Sequence, residues 1–455
     1  MCSINVKFAS SSKYQTLFSN EFESAIADAF QEQEGQKIDK VTLDFTDLIY
    51  VDVVTLPNIS SFVQSFLEDK SKTVKIKLPN NPKVLTFLKT WDFTDSFFYS
   101  TKKERELKDC LDDASHDLSK LFFSNSEEDV SVLDEFTGNC LDDQNLNELL
   151  KGLITKHNPY GSLENSNAFE RYNRWKNFFG VFSFDVLKKN NGDDISQNKS
   201  IVFEERKRWQ QINEIESILD NVLKDRNGKE CKGYIPNKVI WECVSNALRH
   251  PEGDLIQTTS RFINKKSRPF LKSNHFTLAF WDNGESMIET LRRAYQDTGN
   301  IKANLPERIH YPIFEVSTDE FNSISVDTKI LPGEFYLKND SYDYYWFLST
   351  FFPGVTRDPN PDGSFANQSS EGTIFKYPGM GLYLLLKTVV DTFNGTIIVR
   401  TGNYRLRISA STKSGCHYKA DIKKVKSFSS KGFKGNLLSI HLPLYEKSKP
   451  LTQLQ

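Results

Sequence analysis

The residues best suited to chemistry lie in three short segments between Glu242 and Leu382. In the first segment, Glu242 and Asn246 are about one helical turn apart and therefore project from the same side of a predicted helix. An amide oxygen suits Mg²⁺, which at phosphate sites keeps several waters and uses few protein ligands. A neighbouring carboxylate can orient or deprotonate an attacking water or hydroxyl. Taken alone, this spacing is more often that of a solvated helix surface.

The second segment, Asp282-Asn283-Gly284, follows a run from Phe276 to Trp281 that alternates like a buried strand. A carboxylate fixed at the end of a strand can accept a hydrogen bond from an exocyclic amine, which suits the recognition of adenine. Gly284 allows the backbone to approach a base closely. Alone, an Asp-Asn-Gly sequence is more often a tight turn.

The third segment begins a predicted helix with Gly379, Met380, Gly381 and Leu382. Two glycines at a helix N-terminus let backbone N–H groups approach phosphate oxygens, and the helix dipole favours the anion. The apolar residues of this helix form one stripe, made of Leu382, Leu385, Leu386, Val389, Val390 and Phe393. Together, the three segments predict one nucleotide pocket.

In their order and context these segments resemble the GHKL superfamily of ATP-binding domains, which have the Bergerat fold. The superfamily includes gyrase and Hsp90-type ATPases, histidine kinases and anti-sigma serine kinases. The resemblance extends from Tyr234 to Leu444. The run from Glu242 to His250 is most similar to the anti-sigma branch, in which an Asn-Ala pair is followed by His.

The resemblance implies a role for each of these residues. Glu242 would be the catalytic general base, and Asn246 would hold Mg²⁺. Asp282 would bind the adenine amine, with Gly284 beside it. The phosphates of ATP would be bound by Gly379, Met380, Gly381 and Leu382.

Two positions depart from the family pattern. Ser286 stands where the family has a second glycine after the Asp turn. Gly435-Asn436 stands where the family commonly has Gly-Thr before the last strand, which is predicted to run from Gly435 to Pro443. We expect Asn436 to contact the nucleotide from the floor of the pocket.

The connection between Ser286 and Pro378 is about ninety residues long, which predicts a structured insertion rather than a plain loop. The resemblance implies that residues 286–378 form an ATP lid. We expect this lid to close over the γ-phosphate and to report nucleotide state to a protein partner. Arg357 and Lys376 are candidate phosphate contacts, with a solvated surface charge as the simpler interpretation of each.

The first hundred residues alternate strand and helix patterns and predict a small α/β domain over residues 1–105. This domain resembles the STAS domain through the run from Val41 to Asp52 and the amphipathic helix after it. In the bacterial regulatory family the Asp is followed by a phosphorylatable Ser at the helix start. Here Val53, Val54 and Thr55 follow Asp52. We therefore expect this domain to dock a protein partner rather than to receive phosphate. An unrelated α/β module is the alternative.

The remaining boundaries follow from composition. Residues 106–200 are rich in polar residues and predict a connector of loops and helices, one of them from Phe169 to Leu187. Residues 201–447 are assigned to the ATP-binding domain and residues 448–455 to a tail. The fold class expected is α+β, with a C-terminal α/β sandwich that carries the lid.

Charge and cysteine usage narrow the function classes. Lys and Arg (58) nearly balance Asp and Glu (60), so the chain as a whole has no field that favours nucleic acid or an anionic membrane. The six cysteines show no CxxC spacing, which predicts reduced thiols. No leader pattern or long apolar run is present in the sequence, so we expect a soluble cytoplasmic protein.

Three functions are consistent with these features. The first is an ATP-hydrolysing regulatory switch of a bacterial-type regulatory or defence system, and the second is a protein kinase of the same fold. His116 is a candidate phosphoacceptor for the kinase, although an exposed helical His explains it as well. The third function is a non-catalytic scaffold that only binds ATP or ADP. A homodimer is a further expectation, because GHKL relatives often dimerise.

Overall fold

The computed structural model shows an α+β protein in which two β-sheets contact the same helix. The structure describes residues 2–8, 16–17, 19–33, 35–69, 71–81, 84, 88, 121–124, 129–131, 182–185, 255–263, 275–299, 301, 309–318, 324–327, 343–356, 379–412, 417–425 and 432–443. Helices and strands both contribute strongly to these residues, as the α+β class predicts.

The first sheet has five strands in the order β1-β3-β5-β6-β7. These strands are β1 (Cys2–Lys7), β3 (Ile38–Asp44), β5 (Thr73–Lys77), β6 (Leu121–Ser124) and β7 (Asp129–Ser131). The first four are parallel to their neighbours, and β7 is antiparallel to β6. A separate parallel pair joins β2 (Thr16–Leu17) to β4 (Tyr50–Val51).

Helices α1 (Ser19–Gln31) and α2 (Thr55–Leu67) accompany the first sheet. Val74 and Ile76 of β5 are fully buried while the intervening lysines are not, which is the alternation expected of a strand with one buried face. The predicted succession of strand, helix, strand, helix and strand is present in the first eighty residues, and the short strands β2 and β4, which were not predicted, occur in addition.

The second sheet has nine strands in the order β12-β11-β15-β14-β13-β16-β10-β9-β8. Their bounds are β8 (Phe182–Asp185), β9 (Leu255–Ile263), β10 (His275–Asp282), β11 (Ile313–Thr318), β12 (Ile324–Asp327), β13 (Thr396–Thr401), β14 (Tyr404–Ala410), β15 (His417–Lys424) and β16 (Asn436–Pro443). Every neighbouring pair is antiparallel except β11 and β15.

The segment predicted as a connector, residues 106–200, contributes strands to both sheets. β6 and β7 extend the first sheet, and β8 forms one edge of the second. The helix predicted from Phe169 to Leu187 therefore differs from the structure at its C-terminal end. Two phenylalanines alternate with polar residues over Phe182–Asp185, and this period of two suits pairing with β9 rather than a helix.

The two faces of the second sheet carry different partners. Phe276, Leu278 and Phe280 of β10 belong to a core shared with three helices, whereas Ala279 and Trp281 belong to the core around α2. The three helices are α3 (Met287–Thr298), α4 (Asp343–Ser349) and α5 (Gly381–Leu386), which continues as a π-helical segment (Lys387–Thr392).

We call the five-stranded sheet with α1 and α2 the first unit, and the nine-stranded sheet with α3, α4 and α5 the second unit. The described part of the predicted lid belongs to the second unit. β11 and β12 pair within the nine-stranded sheet, and α3 and α4 pack in its core. Phe314, Trp346 and Phe347 are buried there. The described part of residues 286–378 is therefore structured, as the length of the connection predicts, and the closing of a lid over a ligand stays a prediction.

Helix α2 joins the two sheets. All of its residues except Ser65 are buried, because one side packs on the first sheet and the other on β9 and β10. None of the helices in the described ranges is both long and apolar enough to cross a bilayer.

Candidate functional site

Three neighbouring strands of the second sheet, β10, β16 and β13, carry polar residues at adjacent strand ends. Asp282 at the end of β10 lies opposite Asn436 at the start of β16, and Asn436 lies opposite Thr401 at the end of β13. Side chains alternate between faces along a strand, so all three project on the side covered by α3. The sheet register therefore brings together residues that are far apart in the sequence.

Asn436 is the centre of this group, and its side chain is almost completely buried. Its Nδ2 donates to Asp282 Oδ1 at 2.9 Å and to the Glu285 carbonyl at 2.9 Å. Its Oδ1 accepts from the Met287 backbone N–H at 3.1 Å and from the Thr401 hydroxyl at 2.6 Å. Every hydrogen-bonding capacity of the amide is thus used, which fixes the first turn of α3 against the ends of β13 and β16.

The Asp282 carboxylate is held from two sides. Its Oδ1 accepts from the Gly284 backbone N–H at 3.0 Å as well as from Asn436. Burial raises the pKa of Asp282 from 3.8 to about 6, while these donors and the charge of Arg400 oppose the shift. At neutral pH the group is mainly ionised, so a negative charge sits in a partly dehydrated position at the strand end.

Gly435 is required by the close approach of two backbone segments. Its φ is +74°, and a Cβ at this position would lie 1.7 Å from the carbonyl oxygen of Asp282. Only glycine adopts this conformation easily and leaves room for that oxygen. The Gly-Asn pair that the sequence singles out therefore has two separate functions, with Gly435 allowing the approach and Asn436 making the hydrogen bonds.

A buried ionic cluster lies on the opposite face of the sheet. Arg400 of β13 is 1% exposed, and its Nε lies 3.5 Å from Glu23 Oε1 of α1. Its terminal nitrogens donate to the Phe433 carbonyl at 3.1 Å and to the Ser61 hydroxyl at 2.9 Å. Arg405 of β14 also pairs with Glu23. Burial lowers the pKa of Arg400 to about 9, so the guanidinium stays charged at neutral pH.

A cavity of about 770 Å³ adjoins the site, a volume in the range of small-molecule pockets. It is lined by residues of the Asp282 turn and of the neighbouring strand end, including Gly284, Ser286, Thr401 and Gly435. The C-terminal part of α2 and the residues just after it supply another wall. The cavity is polar, with acidic and basic side chains around its rim.

Within the described part of the chain, the structure brings three of the predicted site residues together. Asp282, Gly284 and Asn436 form one hydrogen-bonded group. Glu242 and Asn246 lie outside the described residues, and so do His116, Arg357 and Lys376.

The third predicted segment has contacts of a different kind. Gly379 has a φ of +71°, and a Cβ there would lie 2.5 Å from the Val355 carbonyl oxygen. The Gly354 N–H donates to the Gly379 carbonyl at 3.0 Å. Met380 is buried, Gly381 is the first residue of α5, and Leu382 packs against the core. These contacts give Gly379 a packing role against the segment that follows α4.

Sequence reasoning missed Thr401 and Arg400. Thr401 follows an apolar strand without any motif around it, and only the register of β13 with β16 reveals its partner. Arg400 has a sequence signal, since it directly follows the apolar run Ile397-Ile398-Val399. A charged residue in such a run predicts a buried partner, although the sequence does not say which.

The described residues of the site can bind a ligand through hydrogen bonds to the Asp282 carboxylate. No group of three or more His, Cys, Asp or Glu side chains within the described ranges is arranged to bind a metal. A carboxylate at the end of a buried strand, beside a glycine turn, suits an amine donor on a flat ring. The predicted Mg²⁺ ligand, Asn246, is on a segment outside those ranges.

Comparison of the chain with protein-family models, with curated proteins and with solved structures finds no match.

Proposed function

We propose that the chain binds ATP with Mg²⁺ as a GHKL-type domain with the Bergerat fold, and that it acts as a nucleotide-controlled regulatory switch. The observation that carries the proposal is the Asp282 carboxylate, held at a strand end by Asn436 and Gly284 in a partly buried position. Its place in the order of predicted motifs is the one that the resemblance assigns to adenine recognition.

The hydrogen bonds of Asp282 support this role. Both the Gly284 N–H and the Asn436 amide donate to Oδ1, so Oδ2 is the oxygen proposed to accept from the adenine amine. A carboxylate fixed in advance accepts such a bond without an ordering cost at the moment of binding. The cavity beside the turn provides volume for a ligand of this size.

The Mg²⁺ ligand and the general base of the proposed site are predicted from the sequence alone. Asn246 would hold Mg²⁺, and Glu242, one turn away, would orient or deprotonate the nucleophile. Bound ATP supplies the activated γ-phosphoryl group. Gly379 and Gly381 stay proposed phosphate contacts, and their backbone N–H groups would reach the phosphates if the segment after α4 moves with them.

The proposed regulatory role concerns the first sheet, for which we propose a STAS-like fold. Thr55, at the start of α2, is fully buried, and the Thr259 hydroxyl of β9 donates to the Val53 carbonyl beside it. This end of α2 therefore contacts the second sheet of the same chain. A separate protein partner would bind another part of the first unit, with nucleotide state relayed through α2.

The reaction is tested by following γ-labelled ATP in the presence of Mg²⁺. Release of free phosphate would identify an ATPase, and label retained on protein would identify a kinase. Binding without either would identify a scaffold. Glu242→Ala should abolish release or transfer while leaving binding largely intact, and Asn246→Ala should weaken the Mg²⁺-dependent part of binding. Activity that survives both substitutions would contradict the proposed roles.

A further inference from the structure

Helix α2 of the first unit directly holds the turn that leads into Asn436. The Lys434 backbone N–H donates to the Ser65 hydroxyl at 2.6 Å, and the Lys434 carbonyl accepts from the Ser61 hydroxyl. Ser65 also donates to the Ser61 carbonyl at 2.8 Å, within α2. Two consecutive turns of the helix are therefore bonded to the peptide groups two residues before Asn436.

The same helix reaches the Asp282 turn. Asn283, which follows Asp282, has its side-chain amide 3.4 Å from Gln64 Oε1 of α2. Trp281, on the other side of Asp282, donates through Nε1 to the Lys434 carbonyl at 3.0 Å. The strand end that carries the carboxylate and the turn that carries its amide partner thus share one support.

The position of the cavity agrees with this arrangement. Ser65 and Glu68 on the α2 side face Gly284 and Gly435 on the sheet side across the same space. The Lys434 ammonium pairs with Glu68 at 3.1 Å on its rim. A shift of α2 relative to the second sheet would therefore change the cavity and the Asp282–Asn436 geometry together.

We propose that Ser61 and Ser65 of α2 are positioning residues for the candidate nucleotide site, so that docking of α2 on the second sheet and nucleotide binding stabilise each other. The inference rests on the proposed function and names the device by which the first unit regulates that site. Coupling of this kind is reciprocal, because a ligand that favours the docked state must also hold α2 in place.

The test uses four full-length proteins, the wild type and the variants Ser65→Ala, Ser65→Thr and Ser60→Ala. Ser65 is only partly buried, so its replacement by Ala removes the acceptor for Lys434 N–H at little packing cost. Thr keeps the hydroxyl at this position. Ser60 is the matched control, because its buried hydroxyl bonds only weakly within α2, to the Leu56 carbonyl at 3.5 Å.

Affinity for ATP with Mg²⁺ is measured by calorimetry, and hydrogen exchange of the α2 amides is measured with and without ATP. We expect Ser65→Ala to weaken ATP binding about three- to tenfold, the equivalent of one hydrogen bond, while Ser65→Thr and Ser60→Ala bind like the wild type. We also expect saturating ATP to slow exchange in α2 of the wild type.

Wild-type affinity in folded Ser65→Ala, or α2 exchange that does not respond to bound ATP, would overturn the inference and leave the proposed function standing. Absence of ATP binding by the wild type would overturn both. The exchange measurement needs only the wild-type chain, so it tests the coupling between α2 and the site even if Ser65→Ala does not fold.

Discussion

Arg400 and Thr401 are consecutive on β13, and their side chains leave opposite faces of the second sheet. Arg400 lies against Glu23 and Ser61 of the first unit, whereas the Thr401 hydroxyl donates to Asn436 in the candidate site. One strand end therefore connects the helices of the first unit to the site, and a displacement of either residue acts on both faces.

The first prediction concerns the buried ion pair. Arg400→Met should lower the free energy of unfolding by about 3–5 kcal/mol, because it leaves the buried Glu23 carboxylate with less compensation and the Ser61 hydroxyl without this donor. Urea unfolding of the full chain measures the change. The double variant Glu23→Gln/Arg400→Met should recover part of the loss, since position 23 then carries no buried charge.

Arg407 on the neighbouring strand β14 provides the control for this experiment. Its side chain is exposed, so Arg407→Met should change the free energy of unfolding by no more than about 0.5 kcal/mol. Equal effects of the Arg400 and Arg407 substitutions would show that the cluster contributes nothing beyond a surface charge.

The second prediction compares two glycines with left-handed backbone. A Cβ at Gly435 would overlap the Asp282 carbonyl oxygen, whereas a Cβ at Gly299 has no atom within 4 Å, and the φ angles are +74° and +67°. Gly299→Ala should therefore cost only the backbone strain, about 1–2 kcal/mol. Gly435→Ala should cost more by at least about 2 kcal/mol and should displace Asn436.

Thermal unfolding of the two alanine variants under identical conditions checks this difference. Similar losses at the two positions would mean that the approach of the 435 backbone to Asp282 is not a feature of the folded chain.

The third prediction is a pH dependence. The pKa of Asp282 is raised from 3.8 to about 6, so the folded chain keeps a proton between these values that the unfolded chain releases. The contribution of Asp282 to the free energy of unfolding is therefore greatest below about pH 4 and is lost as pH rises through about 6. Full burial would make the loss about 3 kcal/mol, and the partial exposure of Asp282 reduces it to about 1–2 kcal/mol.

Asp282→Asn removes this titration while keeping an acceptor for Gly284. The variant should be more stable than the wild type at pH 7.5 by about 1–2 kcal/mol, and the difference should shrink at pH 4.5. Denaturant unfolding at both pH values measures it. A difference that does not depend on pH would contradict the raised pKa.

The fourth prediction concerns Asn436. Replacement by Ala removes the four hydrogen bonds of a buried amide, while the Met287 N–H keeps the Thr401 hydroxyl as an acceptor at 2.9 Å and Asp282 keeps the Gly284 N–H as a donor. We therefore expect a loss of about 2–3 kcal/mol in the free energy of unfolding. Ser439→Ala on the same strand is the control. Its hydroxyl makes only long contacts, at 3.5 Å to the Ile398 carbonyl and 3.2 Å to His441, and should cost less than about 1 kcal/mol.

Local sequence patterns predicted much of the fold. The alternation from Phe276 to Trp281 and the apolar stripe after Gly381 are properties of a few neighbouring residues. Strand β10, and α5 together with its π-helical continuation, begin and end close to where these patterns place them. The length of the connection between Ser286 and Pro378 predicted a structured insertion but gave no information about which of its side chains are buried. In the structure, the apolar side chains of β11 and α4 pack into the core of the second sheet.

The hydrogen bonds around the candidate site likewise include some between chain neighbours, which the sequence predicts, and some between distant residues, which it does not. Asp282 and Gly284 are neighbours in the chain, so their hydrogen bond is encoded locally. The bond between Asn436 and Thr401, which are 35 positions apart, depends on strand register, and the bond between Arg400 and Ser61 joins residues 339 positions apart. No periodicity in one sequence specifies such pairs, because many registers bury the same apolar residues.

We propose that Asp282 accepts the adenine amine of bound ATP. The most direct test is calorimetric titration of full-length wild type and Asp282→Asn with ATP, with Mg²⁺ present or chelated. We expect saturable Mg²⁺-dependent binding to the wild type, weakened at least about tenfold in the variant, because a hydrogen bond to a charged acceptor contributes about 1.5–3 kcal/mol. Absence of binding to the folded wild type, or equal affinity in both proteins, would contradict the claim.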